Sequence, residues 1–455
     1  MSEYASTRLA VASNDARFRE LVQDALRHAR RLGASDAAAE ISESCGLSVS
    51  VRNQDVDTIE QNRDRSLSVT VFAGGRRGSA ATSDLSPKAV RETVEAAWHI
   101  AGHTAEDPAA ALPDADMLAV EFPDLELHQP WHISAAEATQ LAARVEQAAR
   151  DESPLITNTE GASVDTYEGQ FVLGNTRGFL AGYPYSRHSV SVSPIAGRGD
   201  GMQRDYWFTS ARAPDALEAP EIVGRIAARR ALARLSAQRM RTGRFPVVFE
   251  APLAAGLLGA LVQAVSGSAL YRKASFLPDA LGKTVMSEHI DIIEDPFLRR
   301  GMASSAFDGE GVRTARRALI DKGVLQGYFL STYTGRKLNM RSTGNAGGPH
   351  NLELRSRLTR AEDDLSALLG TMGRGLLVTE LIGQGVNPVT GDYSRGAFGY
   401  WVENGEIVHP VEEITIAGNL AEMFRQIVAV GSDRLTRGAR TTGSILIESM
   451  AVAGQ

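Results

Sequence analysis

Two pairs of histidines spaced four residues apart, His99/His103 and His128/His132, are the groups in this sequence whose type and spacing come nearest to a metal site. Residues at i and i+4 share one face of an α-helix, and Glu106 follows shortly after His103. A zinc helix of that kind also needs a glutamate beside its first histidine as general base. Ile100 stands there instead, and Gly102 ends the helix. Both histidines then lie in a last turn, where positive charge is favoured by the helix dipole, and they read as surface histidines. Pro130 removes the helical face from the second pair. Arg225, Arg229, Arg230, Arg234, Arg239, Arg241 and Arg244 form a basic stretch. Alanine and leucine, not aromatics, interleave them, so a solvated helix face is expected rather than a nucleic-acid contact. Asp308-Gly-Glu-Gly311 and Gly199-Asp-Gly201 read as small-residue turns without phosphate-loop or EF-hand spacing. No nucleophile elbow and no dinucleotide fingerprint is present.

The elements that must position any site follow from periodicity. Phe18 to Leu32 has helical spacing and stops at Gly33. Leu47/Val49/Val51 and Leu67/Val69/Val71 alternate with polar residues as half-buried strands do. Gly74-Gly75 turns the chain into a hairpin partner at Ser79–Thr82, and Pro87 starts a second helix. Residues 104–123, rich in Ala, Pro and Asp, read as a linker. Ser134 with Glu137 is a capping box that opens a helix to about Arg150. His188, Val190 and Val192 mark a strand, and Glu218 to Met240 a helix. Phe245–Phe249 is a buried-type strand, followed by an apolar, small-residue helix over Pro252–Ala269. Hairpins are expected around Asp321-Lys-Gly323 and Asn404-Gly405. Asn419 caps a helix to Val428, and Ser444–Ile447 is a strand. The expected domains are an N-terminal α/β domain over 1–110, a middle α/β domain over 111–240 and a β-rich C-terminal domain over 241–455. The fold class is α+β, with the C-terminal domain barrel- or sandwich-like around the small-residue helix.

Composition bounds the function. The 455 residues exceed one ordinary core. With 48 basic and 55 acidic residues the net charge is −7, against the basic excess of a nucleic-acid binder. Cys45 is the single cysteine, so neither an internal disulfide nor a cysteine zinc knuckle can form. Residues 1–20 show no apolar signal region, and no run is long enough to span a membrane, so a cytosolic chain is expected.

Many short stretches then match one family in order and spacing. They are Phe307–Val312, Gly323–Tyr328, Ser342–Asn345, Gly385–Asp392, Gly399–Ile407, Pro410-Val411, Glu422-Met423 and Val430–Asp433. Across residues 245–455 the chain resembles the C-terminal domain of the TldD/PmbA peptidase family, in its PmbA/TldE branch. The resemblance implies a metallopeptidase system in which the TldD branch carries His-Glu-x-x-x-His-x-x-Glu on the helix after the first C-terminal strand. Two histidines and the last glutamate would hold zinc, and the inner glutamate would activate water. Histidines five apart do not share a face of an ideal helix, so a distortion is expected there. Here Val262 and Gly267 stand at the histidine positions, Gln263 at the general base and Leu270 at the liganding glutamate. Thr442 stands for a late cysteine. No His, Asp, Glu or Cys occurs between Ala251 and Lys273. The resemblance therefore implies no metal and no cofactor in this chain, zinc in a TldD-type partner, and a heterodimer with that partner or a homodimer alone. It implies unfolded or extended peptides as substrates. Asn345, Gln384, Asn387, Thr390 and Arg395 are the candidate cleft-lining residues, with plain turn positions as the alternative reading. The rival reading is a non-proteolytic binding module, such as a modulator of DNA gyrase. The vestigial helix is expected to close over with apolar packing at Val262 and Leu270.

Overall fold

The computed structural model describes residues 14–454; most of the stretch 1–20 lies outside them. The backbone packs as two units. The first holds the described residues through 232 together with 297–314 and 331–347; the second holds 233–296, 315–330 and the described residues from 348 on.

The first unit is built on long antiparallel strands: β1 (Asp36–Arg52), β2 (Asp55–Ala73), β3 (Arg76–Thr82), β4 (Ile156–Asn175), β5 (Leu180–Ala196), β6 (Gln203–Arg204) and β7 (Trp207–Ala211). Their order is β3-β2-β1-β4-β5-β6, with β7 also on β5. Helices α1 (Asp15–Arg31) and α2 (Pro87–His103) cover one stretch of this sheet. Phe18, Val22, Val90 and Val94 pack there on Ile41, Leu67, Val69 and Val71. Each fully buried aliphatic side chain of this kind contributes about 1.5–3 kcal/mol. The expected capping box is present on α3 (Ala135–Asp151), where Ser134 Oγ accepts from Glu137 N and the Glu137 carboxylate accepts from Ser134 N. Helix α4 (Pro220–Ala233) stops seven residues before the expected Met240. Past Arg234 the backbone turns through Ser236 in a left-handed conformation and extends, Gln238 N donating to Pro410 O. That bond lies far along the chain, so helix spacing alone could not place the end.

In the second unit, β8 (Gly243–Phe249), β13 (Gly375–Ile382), β14 (Asp392–Glu403), β15 (Glu406–Asn419) and β19 (Ile445–Ala453) form a closed barrel. β8 pairs with β13 and β19, β13 with β14, β14 with β15, and β15 returns to β19. β16 (Ile427–Val430) hangs on β19. The second sheet runs β11 (Val324–Leu325), β10 (Arg317–Asp321), β9 (Ile290–Asp295), β12 (Asn351–Ser356), β18 (Arg440–Thr442) and β17 (Leu435–Arg437). Strand alternation sorts the barrel wall. Val248, Leu377, Val402 and Leu446 face outward onto Leu369 and Met372 of α8 (Leu365–Met372). Val247, Phe249, Leu376, Val378, Ile445 and Ile447 alternate with them and point inward, all buried. The Asn404-Gly405 hairpin closes as expected, with both residues at positive φ. The helix after Asn419 is shorter than expected: α9 (Leu420–Arg425) gives way to β16, where Val428 and Val430 belong to the ladder beside β19.

Candidate functional site

The small-residue helix is real but broken. α5 (Ala251–Ala264) ends at Val265, and a separate turn, α6 (Gly267–Tyr271), begins after Ser266. The expected single helix over 252–269 is interrupted because Phe329 inserts its main chain: Phe329 N donates to Val265 O at 3.1 Å, and Gly267 N donates to Phe329 O at 2.8 Å. Ser266 then recaps the next turn by accepting from Ala269 N. The distortion falls between positions 262 and 267, where histidines five apart would need it.

Leu257, Leu258, Leu261 and Val265 are buried, as the periodicity requires. The motif positions behave otherwise. Val262 and Leu270 are half-buried, Gln263 is exposed and Gly267 is buried. The expectation of apolar closure over Val262 and Leu270 is therefore corrected, since both side chains stay partly in solvent. Zinc needs three or four N, O or S donors. Valine, glycine and leucine have none in their side chains, and the Gln263 amide can neither carry the ligand set nor take a proton from water. These positions do not fit a zinc ion. Among the described residues no group of three or more His, Cys, Asp or Glu could hold a metal. His99 and His103 are exposed, and His128 faces Glu168 at 3.2 Å. Arg229, Arg230, Arg234 and Arg239 each meet an acid, in turn Glu152, Asp205, Glu380 and Glu413.

Strand directions bring several of the singled-out residues to one end of the barrel. β13 runs parallel to β8, and β14 and β19 run antiparallel to it. The end where β8 leaves at Phe249 is thus the end where α5 starts, β13 stops, β14 begins and β19 begins. Ala251 N donates to Ser444 Oγ at 3.0 Å, and Ser444 is fixed by the Asp433 carboxylate at 2.6 Å. Thr442, two residues earlier, is fully buried and donates to Gly443 O at 3.0 Å. The loop 383–391 crosses the same end. Gly385 is required there, because a Cβ would stand 1.5 Å from Ser394 O. Gln384 is exposed. Asn387 and Thr390 are exposed, and both bond inside the turn. Asn387 Oδ1 accepts from Val389 N and Thr390 N, while Thr390 Oγ1 donates to Asp392 at 2.6 Å. Asn419 Nδ2 and Leu420 N tie the turn to α9 by donating to Thr390 O and Gly391 O.

Arg395 differs from its neighbours. Tyr393 lies edge-on to Phe249, 6.4 Å between ring centroids, which places it on the inner wall. Arg395 follows by strand alternation on the same wall, paired across to Ile416. It is half-buried, and its Nε is buried without an acceptor.

Asn345 belongs to the first unit. It is buried, accepting from Thr343 Oγ1 at 2.7 Å. Beside it stands a residue that sequence reading passed over as a turn. Asp308 accepts from Glu310 N and Val312 N through Oδ1 and from Ala346 N through Oδ2, at 2.9, 3.0 and 2.9 Å. Its carboxyl ties the Phe307–Val312 stretch to Ala346, the residue after Ser342–Asn345. Burial pushes it up to about 6, against the pull of these donors. The run Asp-Gly-Glu-Gly was its only signal.

Comparison with known proteins bears on the whole chain. Family models for the PmbA/TldA metallopeptidase domain 1, central domain and C-terminal domain match residues 37–101, 128–235 and 242–454. The chain is 47% identical over 440 residues to Metalloprotease PmbA of Escherichia coli O157:H7, spanning 96% of this chain and 97% of that one. It is 45% identical over 437 residues to the Haemophilus influenzae homologue, 96% of each. Among solved structures, a candidate modulator of DNA gyrase from Bacteroides thetaiotaomicron superposes with a TM-score of 0.89 at 26% identity, over 96% of this chain and 98% of that one. TldE from Thermococcus kodakarensis gives 0.83 at 20% identity over 95% and 100%, a likeness of fold.

Proposed function

This chain belongs to the PmbA/TldA metallopeptidase family, and from that premise we propose that it is the non-zinc-binding, PmbA/TldE-type subunit of a two-subunit peptidase. Its TldD-type partner carries the zinc and the general base. Its substrates are unfolded or extended peptides, and it works in the cytoplasm. The observation that carries this reading is the donor set: Val262, Gln263, Gly267 and Leu270 supply no zinc ligand, while the broken α5–α6 backbone is kept around them. An extended peptide suits a β-rich partner because it can be held by main-chain hydrogen bonds.

The test is to purify this chain alone and together with a TldD-type subunit, measure zinc by elemental analysis, and follow peptide cleavage with and without the metal. The expected result is no stoichiometric zinc and no cleavage from this chain alone, with zinc-dependent cleavage by the pair. About one zinc per chain, lost together with an intrinsic activity, would overturn the proposal. The names given to the Bacteroides protein and to a Thermotoga maritima relative, 26% identical with a TM-score of 0.87, favour a second reading as a DNA gyrase modulator. Under that reading the chain alters gyrase supercoiling without the partner and without zinc.

A further inference from the structure

Covered arginines in this protein are generally satisfied. Arg234 meets Glu380 at 2.6 Å and Arg317 meets Glu294 at 2.6 Å. The buried Arg212 donates to three main-chain carbonyls. Among the described arginines that are half-buried or more, Arg395 and Arg440 have neither an acid nor a hydrogen-bond acceptor. Of these two, Arg395 stands on the closed barrel wall beside a second orphaned donor. Tyr393, two residues before it and 4% exposed, has a buried hydroxyl without a partner. Burial pushes that phenol up to about 12, so the hydroxyl keeps its proton and remains a donor. Residues at i and i+2 of a strand share one face. β13 ends at Ile382, opposite Gly396, so Arg395 lies on the inner wall at the level where the β13 ladder stops. Asp392, the acid nearest along the strand, is engaged with Thr390 and Asn419.

Buried donors without acceptors oppose folding unless something completes them. A guanidinium fork held without an internal acid is ready for a planar, two-oxygen anion. We propose that Arg395 and Tyr393 form a carboxylate-binding site at the α5 end of the barrel, and that its ligand is the C-terminal α-carboxylate of an extended peptide. This deepens the peptide-handling reading above and rests on it for the identity of the ligand.

The probes are three acetylated peptides: Gly-Ala-Gly-Ala with a free C-terminus, the same peptide amidated, and amidated Gly-Ala-Asp-Ala, whose only carboxylate is a side chain. Binding to the full chain is read at the Arg395 Nε–H resonance of arginine-labelled protein, assigned by Arg395→Met. The expected result is a saturable shift from the free acid, at least about tenfold weaker with either amide, as loss of a charge-assisted pair implies. Tyr393→Phe, which removes only the hydroxyl, should weaken the acid peptide severalfold. An equal response to acid and amide, no response to any probe, or a stronger response to the aspartate peptide would each overturn the proposal. Cleavage by the assembled pair is scored separately. A carboxylate-selective shift without cleavage in any pairing removes the peptidase reading and leaves the site. Cleavage without the shift does the reverse.

Discussion

Asp308 in the first unit and Arg395 in the second are both substantially buried, ionisable and set in glycine-flanked turns or strands, yet their surroundings differ in kind. Asp308 accepts three main-chain N–H groups and joins two distant loops. Arg395 has no partner, and Tyr393 beside it has none either. A buried charge whose bonding capacity is consumed internally is fixing structure. A buried donor pair left open on the barrel wall is held for something that arrives from outside. The difference matters because the sequence presents both as ordinary polar residues.

Removing Asp308 should give the largest effect. Asp308→Ala strands three main-chain N–H groups, that of Val312 in a buried bond and those of Glu310 and Ala346 in partly buried ones, and should destabilise the protein by about 2–3 kcal/mol, seen as a lower urea midpoint. A loss below about 1 kcal/mol would mean that water replaces the carboxylate, and the contrast with Arg395 would weaken.

The pH dependence is next. Burial raises the folded carboxyl to about 6 from an ordinary 3.8. The folded state thus holds this proton more tightly than the unfolded state. The stability it contributes is full below about 3.8 and is lost as pH rises through 6. Relative to Asp308→Asn, the wild type should lose about 2–3 kcal/mol between pH 4 and 7. A gain over that range, measured by denaturation at each pH, would show that the three donors outweigh burial.

Gly385→Ala forces the 383–391 loop away from Ser394 and should cost about 1–3 kcal/mol while displacing Arg395 from the barrel end. Intact binding of the free-acid peptide by this variant would separate Arg395 from the loop. The smallest effect belongs to Arg395→Met, which should change stability by less than about 0.5 kcal/mol, because no internal bond is lost and an unpaired buried donor goes with it. A loss above about 2 kcal/mol would reveal a structural partner and make Arg395 like Asp308.

What could be read from the sequence was local. The Ser134/Glu137 capping box and the Asn404-Gly405 turn depend on residues within a few positions of each other, and both form. The strand after Gly243 and the small-residue helix behind it were likewise visible in short-range patterning. The break at Val265 was not, because Phe329 causes it from far downstream. Nor was the end of α4, set by Pro410. The four positions that distinguish this helix from a zinc helix are legible as residue types. The half-open burial of Val262 and Leu270 is decided by packing that no periodicity reports. The loop asparagine and threonine, Asn387 and Thr390, look alike in sequence whether they face a ligand or their own turn; here they bond to the turn. The inward direction of Arg395 depends on β14 and β15 closing against β19.

That closure has a temporal side. β8 lies between β13 and β19, with Val248 opposite Leu377 on one side and Leu446 on the other. Both neighbours come from far along the chain, so neither edge of β8 can be satisfied by a local hairpin. Loop-closure entropy must be overcome before either pairing rewards it, and topologies of such high contact order fold slowly. Until β19 arrives, β8 presents an apolar Pro-Val-Val-Phe strand with an open edge, the feature from which misassociation starts. The barrel that carries Arg395 in the folded protein is therefore exposed to aggregation while it is being made.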